Sequence, residues 1–175
     1  MSESFHQAIS EESRAGEESP AAGDGPGEVA NLADKLLEVH TWLRAQLQQV
    51  RAEADAYFTG REPGVPLGLQ LRQHCLAFCQ ALEFHHTGED GQVFPFLADR
   101  HPHLRGALDR LSEEHRTVEG VQRELVALLA DLGTADPGRF RAELDRLSAE
   151  LTAHLDYEEE SLLPALAGIP FPPAP

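Results

Sequence analysis

The chain has 175 residues, room for one ordinary domain with a tail. Thirty acidic residues against fourteen basic ones leave a net charge of −16, so a nucleic-acid backbone or an anionic membrane is a poor partner. No apolar run approaches the roughly 20 residues that span a bilayer, and MSESFHQAIS lacks the basic and apolar regions of a secretory signal. The expected location is therefore cytoplasmic, with Cys75 and Cys79 as reduced thiols rather than a disulfide framework.

Residues 1–27 read as a disordered acidic tail. Glu3, Glu11, Glu12, Glu17, Glu18 and Asp24 face a single base, Arg14, and Ser, Gly and Pro fill much of the rest. Residues 28–167 show helical periodicity four times. The first stripe is Val29, Leu32, Leu36, His40, Leu43, Leu47, Val50, Ala54, and it ends at Gly60, Pro63, Gly64 and Pro66. The second is Leu67, Leu71, His74, Phe78, Leu82, His85, Glu89, closed by Asp99–Arg100–His101–Pro102. The third is Leu104, Leu108, Leu111, His115, Val118, Gln122, Leu125, Leu129, Leu132, followed by the breakers Gly133 to Gly138. Within these, Asp136–Pro137 is an N-cap followed by proline at the first helical position. The fourth is Phe140, Leu144, Leu147, Leu151, His154, Glu158, Leu162. Pro95 and Pro164 are expected to kink or end the second and fourth helices. Residues 168–175 cannot continue a helix and should trail off extended as a Pro-rich tail. Short loops between long helices give an all-α fold, an antiparallel up-down-up-down four-helix bundle.

Each stripe carries a histidine where leucine would be expected: His40, His85, His115 and His154. Two are followed at i+4 by a glutamate on the same helix face, giving His85–Glu89 and His154–Glu158. A single buried histidine is most often a hydrogen-bonded core residue. Four on four inward faces, two with carboxylates, would be expensive unpaired. A shared cation neutralises the acids and occupies the imidazole lone pairs.

The segments also repeat. His85, Glu89, Asp90, Pro95 and Leu97 recur at the same offsets as His154, Glu158, Glu159, Pro164 and Leu166. The body thus reads as two copies of one helical hairpin, each offering one histidine plus His-x3-Glu. Two metals suit that pattern better than one, with Glu89 and Glu158 placed to bridge. Imidazole and carboxylate without thiolate suit Fe, Mn, Co or Zn. The ferritin-like pattern needs two Glu-x-x-His pairs, and only Glu83–His86 is present in the body.

The order His40, His85-x3-Glu89, His115, His154-x3-Glu158 resembles the hemerythrin-like family, the HHE cation-binding domain. The strings HHTGEDGQVFPFL and HLDYEEESLLPAL are similar to that family's second and fourth helices. HCLAFCQALEFHHTGED is similar to a bacterial, actinobacterial subgroup. The resemblance implies two non-haem iron ions, oxo- or hydroxo-bridged, that meet a small ligand such as O2, peroxide or NO. It makes His40, His85, Glu89, His115, His154 and Glu158 the metal ligands. The oxygen-carrying members have five histidines, with His-x3-His on the third helix. Here Glu119 stands four residues after His115, which disfavours reversible O2 carriage and favours peroxide turnover, sensing or iron handling.

Glu119 is a candidate seventh ligand or outer carboxylate. Tyr157, three residues after His154, is a candidate donor or phenolate near the metals, with packing as the plainer reading. His86, about 100° round the helix from His85, is expected beside the site or at the surface. These three are the candidate catalytic residues. His74 is expected in the core or an access channel, and Asp90, Glu159 and Glu160 in solvent. The expected function is an oxidoreductase handling peroxide or a related oxidant. The alternative is an O2, NO or iron sensor, or an iron-binding protein without turnover.

Overall fold

The computed structural model describes residues 30–60 and 65–171. The tail expected over 1–27, the first-stripe residue Val29, the loop residues 61–64 and the last residues 172–175 lie outside the described residues. The elements are α1 (Leu32–Thr59), α2 (Val65–Gly88), a π-helical turn (Glu89–Val93), α3 (Phe94–Arg100), a 3-10 turn (Pro102–Leu104), α4 (Arg105–Ala130) and α5 (Pro137–Leu166). The π turn joins α2 and α3 into one rod, so four rods form the bundle.

Cross-helix contacts fix the direction of each rod. Along α1 and α5, His40 meets Glu159, Arg44 meets Asp156 and Arg51 meets Asp145, so the numbers rise on one helix and fall on the other. The same reversal relates α1 to α2 through His40–His85 and Glu53–His74. It relates the rod of α2 and the π turn to α4 through Asp90–His115 and Cys79–Gln122, and α4 to α5 through Glu114–His154 and Glu124–Arg139. The result is the expected all-α, up-down-up-down four-helix bundle.

Local chemistry explains the helix ends. Asn31 caps α1 and exchanges hydrogen bonds with Asp34, a reciprocal capping box. Gly60 closes α1 with φ 62°, a left-handed conformation that suits glycine. Asp136 caps α5, its carboxylate accepting from Gly138 N, with Pro137 at the start of the helix.

Both prolines lie at irregular or closing helix turns, in keeping with the expectation. Phe94 N–H donates to the Glu89 carbonyl five residues back, which defines the π turn. Pro95 follows with no N–H to give, so the ladder is irregular where the sequence removes a donor. The rod nevertheless continues through α3 to Arg100. Likewise α5 runs through Pro164 and closes at Leu166. Gly168–Phe171 folds back beside α1: Leu32 N donates to Ile169 O at 2.9 Å, and Phe171 N to Ala30 O at 2.8 Å. The first of these bonds satisfies an N–H that the start of α1 leaves open.

Apolar side chains form two clusters. The larger contains Leu43, Leu47, Val50, Leu71, Phe78, Leu82, Leu125, Phe140, Leu147 and Leu151. The smaller contains Ala33, Phe94, Leu97, Leu108, Leu111, Leu162 and Leu166. On every rod buried polar residues stand where the two clusters meet: His40, His86 with Glu89, His115, and His154 with Glu158. A polar layer thus crosses the bundle, sealed by apolar packing above and below.

Candidate metal centre

All the polar residues of this layer named above are under 7% exposed, and His85 is only slightly more accessible. They converge as two groups. His40, His85, Glu89 and Glu158 offer ligand atoms within 4.8 Å of one another. So do His86, Glu89, His115 and His154. Glu89 belongs to both, with Oε1 2.8 Å from His85 Nε2 and Oε2 3.2 Å from His115 Nε2. Glu158 also faces both sides, with Oε2 3.4 Å from His40 Nε2 and 3.6 Å from His154 Nε2.

Outside this layer a ring of acids orients the imidazoles. His40 Nδ1 lies 2.8 Å from Glu159, which also accepts from Arg44 at 2.7 Å. His115 Nδ1 lies 2.9 Å from Asp90, which also accepts from Ser112 Oγ at 2.6 Å. His154 Nδ1 lies 3.0 Å from Glu114, which accepts from Arg110 at 2.8 Å. A carboxylate can only accept, so each Nδ1 carries the proton and each Nε2 lone pair points inward. Asp90 and Glu159 are therefore not simply solvated, as the sequence suggested. Each tethers a histidine of the opposite hairpin.

The inward atoms are short of protein partners. Glu89 Oε1 and Oε2, Glu158 Oε2 and His86 Nε2 are buried and accept or donate no hydrogen bond. His40 and His85 face each other Nε2 to Nε2 at 3.3 Å, and His115 and His154 do so at 3.1 Å. Buried polar atoms normally find partners. Lone pairs aimed at common points, with two acids to balance positive charge, fit cations held by nitrogen and oxygen donors.

Electrostatics supports the same arrangement. Burial lowers the pKa of His85 and His154 and keeps them neutral. Burial lowers His86 strongly, helped by the neighbouring His115 and His154. Burial also opposes charge on His115, but Glu89 and Asp90 outweigh it and raise its pKa. Glu89 is pushed well above the carboxylate range by burial and by Glu158 beside it. Burial pushes Glu158 the same way, yet His40 and His85 outweigh it and hold its carboxyl low. The acids are thus unequal, because two bare charges cannot sit side by side in a dry core.

The six residues expected from the sequence, His40, His85, Glu89, His115, His154 and Glu158, all meet in this layer. His86 joins them, although the sequence suggested a place beside the site or at the surface. It stacks on His115 with ring centroids 3.9 Å apart and completes the second group. Its signal was legible in part: Leu71, Cys75, Phe78, Leu82, His86 and Glu89 form a buried lane with steps of three and four. His74 is not in that lane. It is about half exposed and sits 2.6 Å from Glu53, so it is not a core residue.

Glu119 does not join either group of ligand atoms. It points outward, 57% exposed, and pairs with Arg123 at 2.9 Å. Tyr157 does not join them either. It packs with the smaller apolar cluster and lies under Arg110, 3.7 Å from guanidinium to ring centroid. Cys75 and Cys79 are free, buried thiols in the larger cluster, so neither is in the donor set.

An all-helical bundle with a buried histidine–carboxylate layer of this kind is the frame of a cation-binding protein. The hemerythrin HHE cation binding domain matches residues 31–166, and the chain belongs to that family. Comparisons with curated proteins and with solved structures gave no match. Among the described residues no helix is long and apolar enough to cross a membrane.

Proposed function

We propose that the centre holds two iron ions and that the protein handles small oxidants, peroxide first among them, with O2 and NO as related ligands. The observation that carries a two-metal reading is Glu89, whose carboxylate is common to both groups of ligand atoms. In this reading His40, His85 and Glu158 hold one ion, His86, His115 and His154 hold the other, and Glu89 spans them. Bound iron supplies one-electron redox chemistry and open coordination for the small ligand. The protein's own part is to fix the geometry. Asp90, Glu114 and Glu159 lock the imidazole tautomers, and burial keeps His85, His86 and His154 neutral. The two apolar clusters close the layer above and below.

The donor set itself favours iron over softer-ligand metals, since the thiols lie elsewhere. The assignment to an actinobacterial subgroup rests on the string HCLAFCQALEFHHTGED alone, and a cytoplasmic setting on composition. The test is iron per chain by elemental analysis, with an absorption spectrum, after anaerobic Fe(II) reconstitution. Two irons and rapid consumption of added peroxide support the proposal. Two irons without turnover support a sensor or storage role. No iron after reconstitution refutes the reading.

A further inference from the structure

Among the described residues, a pocket reaches the buried layer from the side. It measures about 190 Å³ and lies between α2 and α4. His86 and His115 form its inner wall, and Glu83, Asp90, Glu119 and Arg116 are the charged groups around it. Three carboxylates thus face one guanidinium. Two further charges belong to the neighbourhood: Arg123 pairs with Glu119, and Glu113 with Arg116, so the surroundings remain net acidic. Asp90 is committed to His115 and Ser112. Glu119 is held only by Arg123 in an exposed pair, which is weak, so Glu83 and Glu119 are the outer carboxylates.

The acidic rim alone would be a solvated surface. The inner wall makes it more than that. His86 is 6% exposed, and its Nε2 is a buried nitrogen without a hydrogen-bond partner. The pocket therefore grades from exposed carboxylates to a bare imidazole that also belongs to the second ligand group. A neutral oxidant gains little from such a rim, and an anion is repelled by it. A divalent cation is attracted at the mouth and exchanges water for nitrogen at the wall. The volume accommodates several waters of its hydration shell.

We propose that the α2–α4 pocket is the loading port for the metal centre. Glu83 and Glu119 capture a hydrated divalent cation, and His86 is the first inner ligand it meets. The proposal rests on the metal-binding reading above, and it assigns Glu119 a place on the path rather than in the centre.

The test is the rate of Co(II) uptake by the full-length metal-free chain, followed by stopped-flow d–d absorption. Wild type is compared with E83Q/E119Q, and with E38Q/E160Q, which removes the same charge from the α1–α5 side. The port variant should load about tenfold more slowly at low salt and reach the same final stoichiometry. The difference should shrink as salt rises. The control pair should load near the wild-type rate. Loading of E83Q/E119Q at the wild-type rate overturns the port while leaving the metal site standing. So does equal slowing in both variants, which would be a whole-molecule charge effect. Failure of wild type to bind Co(II) at all overturns both the port and the metal reading.

Discussion

Glu159 holds His40 from across the bundle, its Oε1 2.8 Å from the imidazole Nδ1. The repeat places Asp90 at the matching position of the other hairpin, and Asp90 holds His115 at 2.9 Å. The adjacent glutamate in each case faces the same imidazole's Nε2: Glu158 for His40, Glu89 for His115. So each Glu–acid pair grips one histidine of the opposite hairpin by both nitrogens. Neither hairpin can complete its own site.

This cross-grip predicts the effect of removing the outer acids. Glu159→Gln keeps the shape but removes the charge that fixes the tautomer of His40. Metal affinity should fall about 10–100-fold, read as faster loss of metal to a chelator. Asp90→Asn should do the same through His115. Glu160→Gln, exposed and outside the grip, should change nothing. Equal retention by all three variants would remove the orienting role.

His86 has no counterpart in the repeat, where Leu155 takes its position. His86→Leu therefore converts one half of the layer to the chemistry of the other, with similar volume. The variant should stay helical and keep about half the metal, with the group built on His86, His115 and His154 the weaker one. Tyr157→Phe should keep full metal content. Elemental analysis beside circular dichroism separates these outcomes, and full metal content in His86→Leu would exclude it as a ligand.

The fold was legible because four stripes with steps of three and four span the body, and helix pairs joined by short loops turn back on themselves. In the fourth stripe every residue from Phe140 to Leu162 is buried as read. The second stripe was less clear. His74 and Cys75 compete for one lane, as do His85 and His86, and adjacent residues differ by only about 100°. Packing chose Cys75 for burial, and His86 over His85 for the deeper place. The roles of Asp90, Glu114 and Glu159 were hidden for another reason. Their partners lie on other helices, and only the assembled bundle brings a partly exposed acid to a buried imidazole.

A third buried acid, Glu53, lies away from the layer and has a separate role. Glu53 Oε1 accepts from Gln49 at 3.1 Å and Gln70 at 3.3 Å, and lies 2.6 Å from His74 Nδ1. It sits thirteen residues beyond His40 on α1, roughly 20 Å along the axis. Gln49, Gln70 and His74 are all exposed enough for water to replace Glu53, so Glu53→Ala should cost no more than about 1 kcal/mol, seen as a small change in Tm. Metal content and Co(II) uptake rate should not change. A loss of metal in this variant would show that the two polar clusters are coupled.

Metal removal should leave a folded but pH-sensitive bundle. The two apolar clusters still hold the rods, so helical content should persist. Binding contributes through linkage, about 2.7 kcal/mol when free metal is a hundred times Kd, so Tm should fall on removal. The remaining pH dependence follows from Glu89, whose pKa burial and Glu158 raise above its ordinary 4.5. Above that ordinary value the unfolded chain has lost a proton that folded, metal-free Glu89 retains. The unfolded state then binds fewer protons, so stability falls as pH rises toward and through the raised value. Glu158 has the opposite shift, and its contribution is lost only on acidification. Metal displaces the Glu89 proton, so this alkaline loss should disappear in the loaded protein. Thermal melts near pH 6 and pH 9 should therefore diverge for the metal-free chain and converge for the loaded one. Parallel shifts in both would mean that Glu89 holds no such proton.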